Sequence, residues 1–235
     1  ALWPLMTTRL YMDQTGDIRI LTKEVPYFKD AQVCRGEDTD TLWNEDCGND
    51  QLTSENDIYT GTILEHLLIQ QLTAFYDVGE HNLYRLRGAD WNDALDMAQE
   101  HGESVAFTCA YAGNLLELAS MIRLLDAVCP EHSIPLLEEI SVLLGQSSSL
   151  YDDIGKKREI LALYTDKCRH TVSGRRVPFS LEELALDLTE KADWLITYIR
   201  NHEWISLHTR EGWFNSYYDN HGQDEEGLHG DHVRR

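Results

Sequence analysis

The sequence predicts an all-α chain with a small β-hairpin near its C-terminus. Three observations carry that prediction. Apolar residues recur at helical spacing through most of the chain. Ser-initiated caps and glycine or proline stops bracket those runs. Extended, aromatic-rich runs about a turn occur at residues 204–218. The 235 residues, 42% of them hydrophobic, suffice for one globular domain, and no Gly-, Ser- or Pro-rich linker divides them, so residues 1–235 read as a single unit.

In chain order, residues 1–16 place Leu2, Leu5, Met6, Leu10 and Trp3 on one side of a helix that Gly16 closes. The pattern starts without a cap, which implies further chain upstream. A short helical stretch over residues 18–24 stops at Pro26, because proline disfavours the helical region for Val25 and lacks a donor. Residues 27–57 form a long polar loop containing Trp43 and many carboxylates, without the spacing of an EF-hand calcium loop; it reads as the edge of a site. Ile58, Ile63, Leu64, Leu67, Leu68, Leu72 and Phe75 give a helix over residues 58–76.

Ser104 caps a helix running to about Val128, with Pro130 beyond its end. Ser133, Ile134 and Pro135 start a further helix to Leu144, and residues 151–170 are helical again, with Lys156-Lys157-Arg158 as a solvated face. Ser180-Leu181-Glu182-Glu183 is a capping box that opens a helix to Asn201. Residues 204–207 and 213–218 then form the hairpin, turning at Arg210-Glu211-Gly212.

A net charge of −21 and a pI near 4.7 argue against nucleic acid or an anionic membrane as partner, since both present negative surfaces. The five cysteines are an odd number without C-x-x-C spacing, which suits reduced, buried thiols. No run of about 18 apolar residues occurs and no basic-then-apolar leader precedes the first helix, so a cytoplasmic location is expected. His221, His229 and His232 in the tail lack the further ligands at defined spacing of a zinc site, and no metal is expected.

The stretch with the densest chemistry is Arg87-Gly88-Ala89-Asp90-Trp91-Asn92-Asp93-Ala94-Leu95-Asp96. It sets three carboxylates and a tryptophan between two long helical patterns. A sugar-processing site needs an apolar ring face for a pyranose and an acid for the departing glycosidic oxygen. Trp91 and Asp93 offer both. The same residues also suit a short helix with Asp90 as N-cap and Asp93 at N3. Arg85 and Arg87 are the nearest cations, placed either to face phosphate or sugar hydroxyls or to neutralise Asp90 or Asp96.

The phrase Gly-Ala-Asp-Trp-Asn-Asp-Ala-Leu resembles the signature of the inverting glycoside phosphorylases of glycoside hydrolase family 94. Thr15-Gly16-Asp17 with Glu24-Val25-Pro26-Tyr27-Phe28, His101-Gly102-Glu103-Ser104-Val105, and Gly212-Trp213-Phe214-Asn215 with Tyr217 and Tyr218 agree in order. The resemblance implies a helical-hairpin ring, an (α/α)6 barrel, of which this chain would be an internal part; its periodic segments number about six or seven helices, about half a ring. It implies phosphorolysis of a β-glucoside to α-glucose 1-phosphate, with Asp93 as general acid and Trp91 as a wall of the sugar site; Asp90 and Arg87, beside them in the sequence, are further candidate sugar-binding residues. Glu225 or Glu226 would correspond to a sugar-binding glutamate and His232 to a phosphate-binding histidine; Arg85, a cation near the motif, is a candidate phosphate contact by position alone. Inorganic phosphate would be co-substrate and no cofactor is implied. The segment at residues 212–218 and the ending His232-Val233-Arg234 resemble most the β-1,2-oligoglucan branch.

The family's early arginine and aspartate sugar ligands, its phosphate arginine and its late Thr-Gly contact have no counterpart in the chain. Apolar faces of a half-ring would then be covered by self-association or by the rest of the barrel. The alternatives are an inverting hydrolase, with Glu45, Asp46, Glu225 or Glu226 as its second carboxylate, and a non-catalytic fragment of a larger glucan-active enzyme.

Overall fold

A computed structural model describes residues 2–87, 98, 100–208, 211–224, 228–229 and 232–233. Five α-helices lie among them: α1 (Trp3–Thr15), α2 (Ile63–Tyr76), α3 (Val105–Asp126), α4 (Ile154–Cys168) and α5 (Leu181–His202). Nine strands matter here: β1 (Glu24–Pro26), β2 (Thr60–Thr62), β3 (Tyr84–Arg85), β4 (Glu103–Ser104), β5 (Ser133–Leu137), β6 (Arg176–Ser180), β7 (Trp204–His208), β8 (Glu211–Phe214) and β9 (Tyr217–Tyr218). The antiparallel pairs are β1 with β2, β5 with β6, and β7 with β8, while β9, β4 and β3 form a three-stranded sheet in that order.

The helix boundaries follow local chemistry. Ser104 Oγ accepts from the Phe107 amide at 3.1 Å and Ser180 Oγ from the Glu183 amide at 3.3 Å, so both long helices start at a side-chain cap. Gly16 closes α1 at φ 70°, a left-handed conformation that glycine adopts without strain.

The principal contact is α3 along α5. Ala112, Ala119, Ala185 and Ala192 are buried between the larger Leu115, Leu118, Ile122, Leu184, Leu188 and Leu195, so small and large side chains alternate across the interface. The helix α2 packs on α3 and α4, completing one main core. Among the described residues α3 is long and apolar enough to cross a bilayer, but it packs against α5, α2 and α1 as a core helix.

Several expectations are corrected. The helix expected from Ser133 is instead β5 followed by a 3-10 turn over Glu138–Leu143, because this segment pairs with all five residues of β6. Residues 60–62 pair with β1, so α2 begins at Ile63. The buried side of α1 carries Leu5 and Met12, whereas Trp3, Met6 and Leu10 are exposed. Cys109 is exposed and Cys47, Cys129 and Cys168 are half-buried, so these four thiols are free but not deeply buried. The helices are accompanied by short sheets throughout, and the described residues do not close into a barrel.

Lys157, expected on a solvated face, is fully buried. Its Nζ lies 4.3 Å from the Phe75 ring centre and 4.1 Å from that of Trp194, and donates to Asn82 Oδ1 at 2.9 Å. Neighbouring Lys191 is also fully buried and donates to both oxygens of Asp187 at 2.6 Å. Burial pushes the Lys157 ammonium down to about 7; Asp152 works against that shift and Lys191 adds to it. An unfolded lysine keeps its proton to about pH 10.4. Between those values the unfolded chain binds more protons, so this group's contribution to stability rises with pH. Thermal melts should therefore show the wild-type chain gaining stability relative to Lys157→Met from about pH 7 to about pH 10; a pH-independent difference would show the lysine to titrate normally.

Candidate functional site

Residues 88–97 and 99, which include Asp90, Trp91 and Asp93, lie outside the described residues, as do Glu225 and Glu226 and the side chain of His232. The frame that carries the motif is described, and it is built around Glu103. The motif segment leaves the sheet at β3 and returns at β4, where the Leu86 amide donates to the Gly102 carbonyl at 2.8 Å. Glu103 is 2% exposed, and its carboxylate accepts from the amides of His81 (2.9 and 3.1 Å) and Leu83 (3.0 Å) and meets His81 Nδ1 at 2.9 Å. A carboxylate buried so deeply is stabilised only by such partners.

Two glycines make room for this arrangement. A Cβ on Gly79 would sit 2.2 Å from the Glu103 carboxyl carbon, and one on Gly102 would sit 2.4 Å from the Ala98 carbonyl oxygen. Neither position accepts a side chain without displacement.

The chain's last described part completes the frame. The β9 strand pairs with β4, and the His81 and Tyr218 rings stack with centres 3.6 Å apart. Asn220 Oδ1 accepts from the amides of Glu100 and His101 at 2.8 and 3.0 Å, fastening the returning end of the motif segment. Glu203, at the end of α5, is 2% exposed and accepts from Tyr218 Oη at 3.0 Å and Asn215 Nδ2 at 3.4 Å. Burial raises the pKa of Glu203, while these two hydrogen bonds oppose the shift. The fold thus brings together two of the stretches singled out in the sequence, His101–Ser104 and Trp213–Tyr218, at the base of the motif. Thr15-Gly16-Asp17 stands apart, at the end of α1.

On the α2 side, the motif's base borders a cavity of about 600 Å³ walled by Arg35, Gln70, Asp77, Tyr84, Arg87 and Tyr111, among others. Arg87 donates to Asp77 through Nε at 3.1 Å and Nη2 at 2.6 Å, and pairs with Glu37. Burial works to lower the Arg87 pKa, but Asp77 and Glu37 outweigh it and raise it, so the guanidinium stays charged. Arg85 pairs with Glu37 at 2.8 Å. Arg35 lies 4.8 Å from the Tyr84 ring centre and reaches Asp77 at 3.3 Å. Arg85 and Arg87 therefore pair with Glu37 and Asp77, while Asp90 and Asp96 lie outside the described residues. Gln70 Oε1 is buried without a hydrogen-bond partner among the described residues, leaving an acceptor on the wall. The described cavity thus offers hydrogen-bonding groups whose charges are already paired. Among the described residues no three His, Cys, Asp or Glu side chains converge to hold a metal ion.

Asp77, Glu203 and Asn220 were missed in the sequence. Asp77 carried a readable signal: a carboxylate directly after a helix C-terminus opposes the macrodipole and calls for a cation. Asn220 carried none, because its role depends on a contact 120 residues away in sequence.

No family model matches the chain. Solabiose phosphorylase of Paenibacillus borealis is 28% identical over 123 residues, covering 52% of this chain and 12% of that protein. The chain therefore has a distant relative among glycoside phosphorylases and corresponds to a small part of that relative's length.

Gly79→Ala should cost about 1–3 kcal/mol in denaturant unfolding, because the new methyl group overpacks the Glu103 carboxylate. Asp77→Ala should cost about 3 kcal/mol by stripping the buried Arg87 of its bidentate partner. Unchanged midpoints for both variants would contradict the frame described here.

Proposed function

We propose that the chain is part of an inverting glycoside phosphorylase of the glycoside hydrolase family 94 type, and that β-linked gluco-oligosaccharide and inorganic phosphate are its substrates. The observation that carries the reading is the likeness to a glycoside phosphorylase. The Gly-Ala-Asp-Trp-Asn-Asp-Ala-Leu stretch supports it, as does the convergence of the His101–Ser104 and Trp213–Tyr218 segments at the base of that stretch.

On this reading the bond between the anomeric carbon and the glycosidic oxygen breaks as Asp93 protonates the departing oxygen. Phosphate attacks the anomeric carbon from the opposite face and forms the new C–O bond, giving α-glucose 1-phosphate. Phosphate is already an anionic nucleophile, so the protein has to position it rather than deprotonate it. A second catalytic carboxylate is not needed. Glu103 and Glu203 suit a framework role instead, since each is buried and occupied by hydrogen bonds from protein groups.

Trp91 serves as a wall for the pyranose, with Asp90 and Glu225 or Glu226 binding its hydroxyls. Arg87 acts with Asp77 as a charge-paired edge of the site, and His232 and Arg85 contribute toward phosphate. A β-1,2-linked oligoglucan is the substrate favoured by resemblance, in a cytoplasmic enzyme. The remaining ligands come from the rest of the same catalytic domain or from self-association.

The test is release of glucose 1-phosphate from β-1,2-, β-1,3- and β-1,4-gluco-oligosaccharides and from solabiose, with and without phosphate. Phosphate-dependent release that falls at least about a hundredfold in Asp93→Asn is expected. Release of free glucose without phosphate, lost in the same variant, would replace the phosphorylase reading with a hydrolase.

A further inference from the structure

The long polar loop before α2 encloses a second cavity, of about 440 Å³, whose lining includes Lys29, Trp43, Asn44, Asp46, Asp50 and His170. That volume falls within the roughly 300–1,000 Å³ of small-molecule sites. Lys29 lines both cavities.

The second cavity has a defined construction. Trp43 is half-buried and its indole N–H donates to the Gly48 carbonyl at 3.2 Å, which fixes the ring. Asn44 Oδ1 caps the following turn by accepting from the Asp46 amide at 3.0 Å. His170 is tied to the opposite wall: its carbonyl accepts from Gln51 Nε2 at 3.0 Å, and the next residues, Thr171 and Val172, pair with Leu52 and Thr53.

The His170 ring is oriented by Asp40, whose buried Oδ2 meets Nδ1 at 2.8 Å and Lys29 Nζ at 3.1 Å. Burial works against the charge of Asp40, but His170, the Leu42 amide and Lys29 together hold its carboxyl down at about 2. Asp40 is thus an acceptor at neutral pH and Nδ1 carries the proton toward it, which leaves Nε2 as a second polar atom on a ring that lines the cavity.

This chemistry selects a ligand class. Lys29 is neutralised by Asp40, and the exposed Asp46 and Asp50 add negative charge, so phosphate and other anions are repelled. What remains is an aromatic wall with carboxylate, amide and imidazole groups, which suits the apolar faces and hydroxyls of a neutral sugar.

We infer that the cavity between Trp43 and His170 is a saccharide subsite that binds units of an oligosaccharide beyond those held at the motif. The inference rests on the sugar-active reading for the choice of a gluco-oligosaccharide as ligand.

Calorimetric titration with β-gluco-oligosaccharides of rising length tests it, using the wild-type chain, Trp43→Ala, and Trp43→Phe, with circular dichroism to confirm that both variants fold. Affinity in the wild type should rise with chain length. Trp43→Ala should lose that rise and bind the longer chains about tenfold more weakly. Trp43→Phe should keep most of it, and inorganic phosphate should not displace the saccharide from this cavity. No saccharide binding by the wild type, or length-dependent binding indifferent to Trp43, overturns the subsite. Binding that needs Trp43 in a chain without phosphorolysis would keep the subsite and remove the proposed reaction. Phosphorolysis with binding indifferent to Trp43 would do the reverse.

Discussion

A single buried carboxylate organises the region around the motif. Glu103 lies where the motif segment rejoins the sheet, and it draws in the backbone of His81 and Leu83 from the segment's other side. Removing a carboxylate from water costs far more than one hydrogen bond returns, so the site is stable only with its donors assembled. That condition is conformationally demanding. It holds residues 79–83 close to β4, and it leaves no room for a side chain at Gly79.

The long helices explain why this assembly falls where it does. The α3 helix is capped by Ser104, directly after Glu103, and α5 ends beside Glu203. Packing α3 along α5 brings these two ends together, with Val105 and Ile199 sharing a small apolar cluster with Leu83. The Val105 amide donates to the Ser216 carbonyl at 3.0 Å, which carries the segment after β8 onto the same end. A framework held by two long helices is a suitable support for catalytic groups on a loop, because the loop's ends cannot move independently of the core.

Much of the helical framework was legible in the sequence. Ser104, Ser180 and Gly16 mark boundaries that the structure retains, because capping and left-handed glycine are local chemistry. Failures came where a distant partner decided the outcome. The segment Ser133–Leu137 has an apolar run that periodicity alone cannot assign, and its pairing with Arg176–Ser180 made it a strand. Lys157 was read as solvated because its neighbours Lys156 and Arg158 are charged, yet one helical position among three faces the aromatic interior of Phe75 and Trp194. At the site, the stretch around Glu103 was visible as a motif. Its function as a collector of backbone donors was not, since those donors lie 20 and 22 residues away.

Glu103 holds the two ends of the motif segment together. Amide hydrogen exchange in wild type and Glu103→Ala tests it most directly. Protection at His81, Leu83 and Leu86 should be lost in the variant while the middle of α3 and α5 keeps its protection. Unchanged protection at those three amides would contradict it, and so would an equal loss throughout both helices.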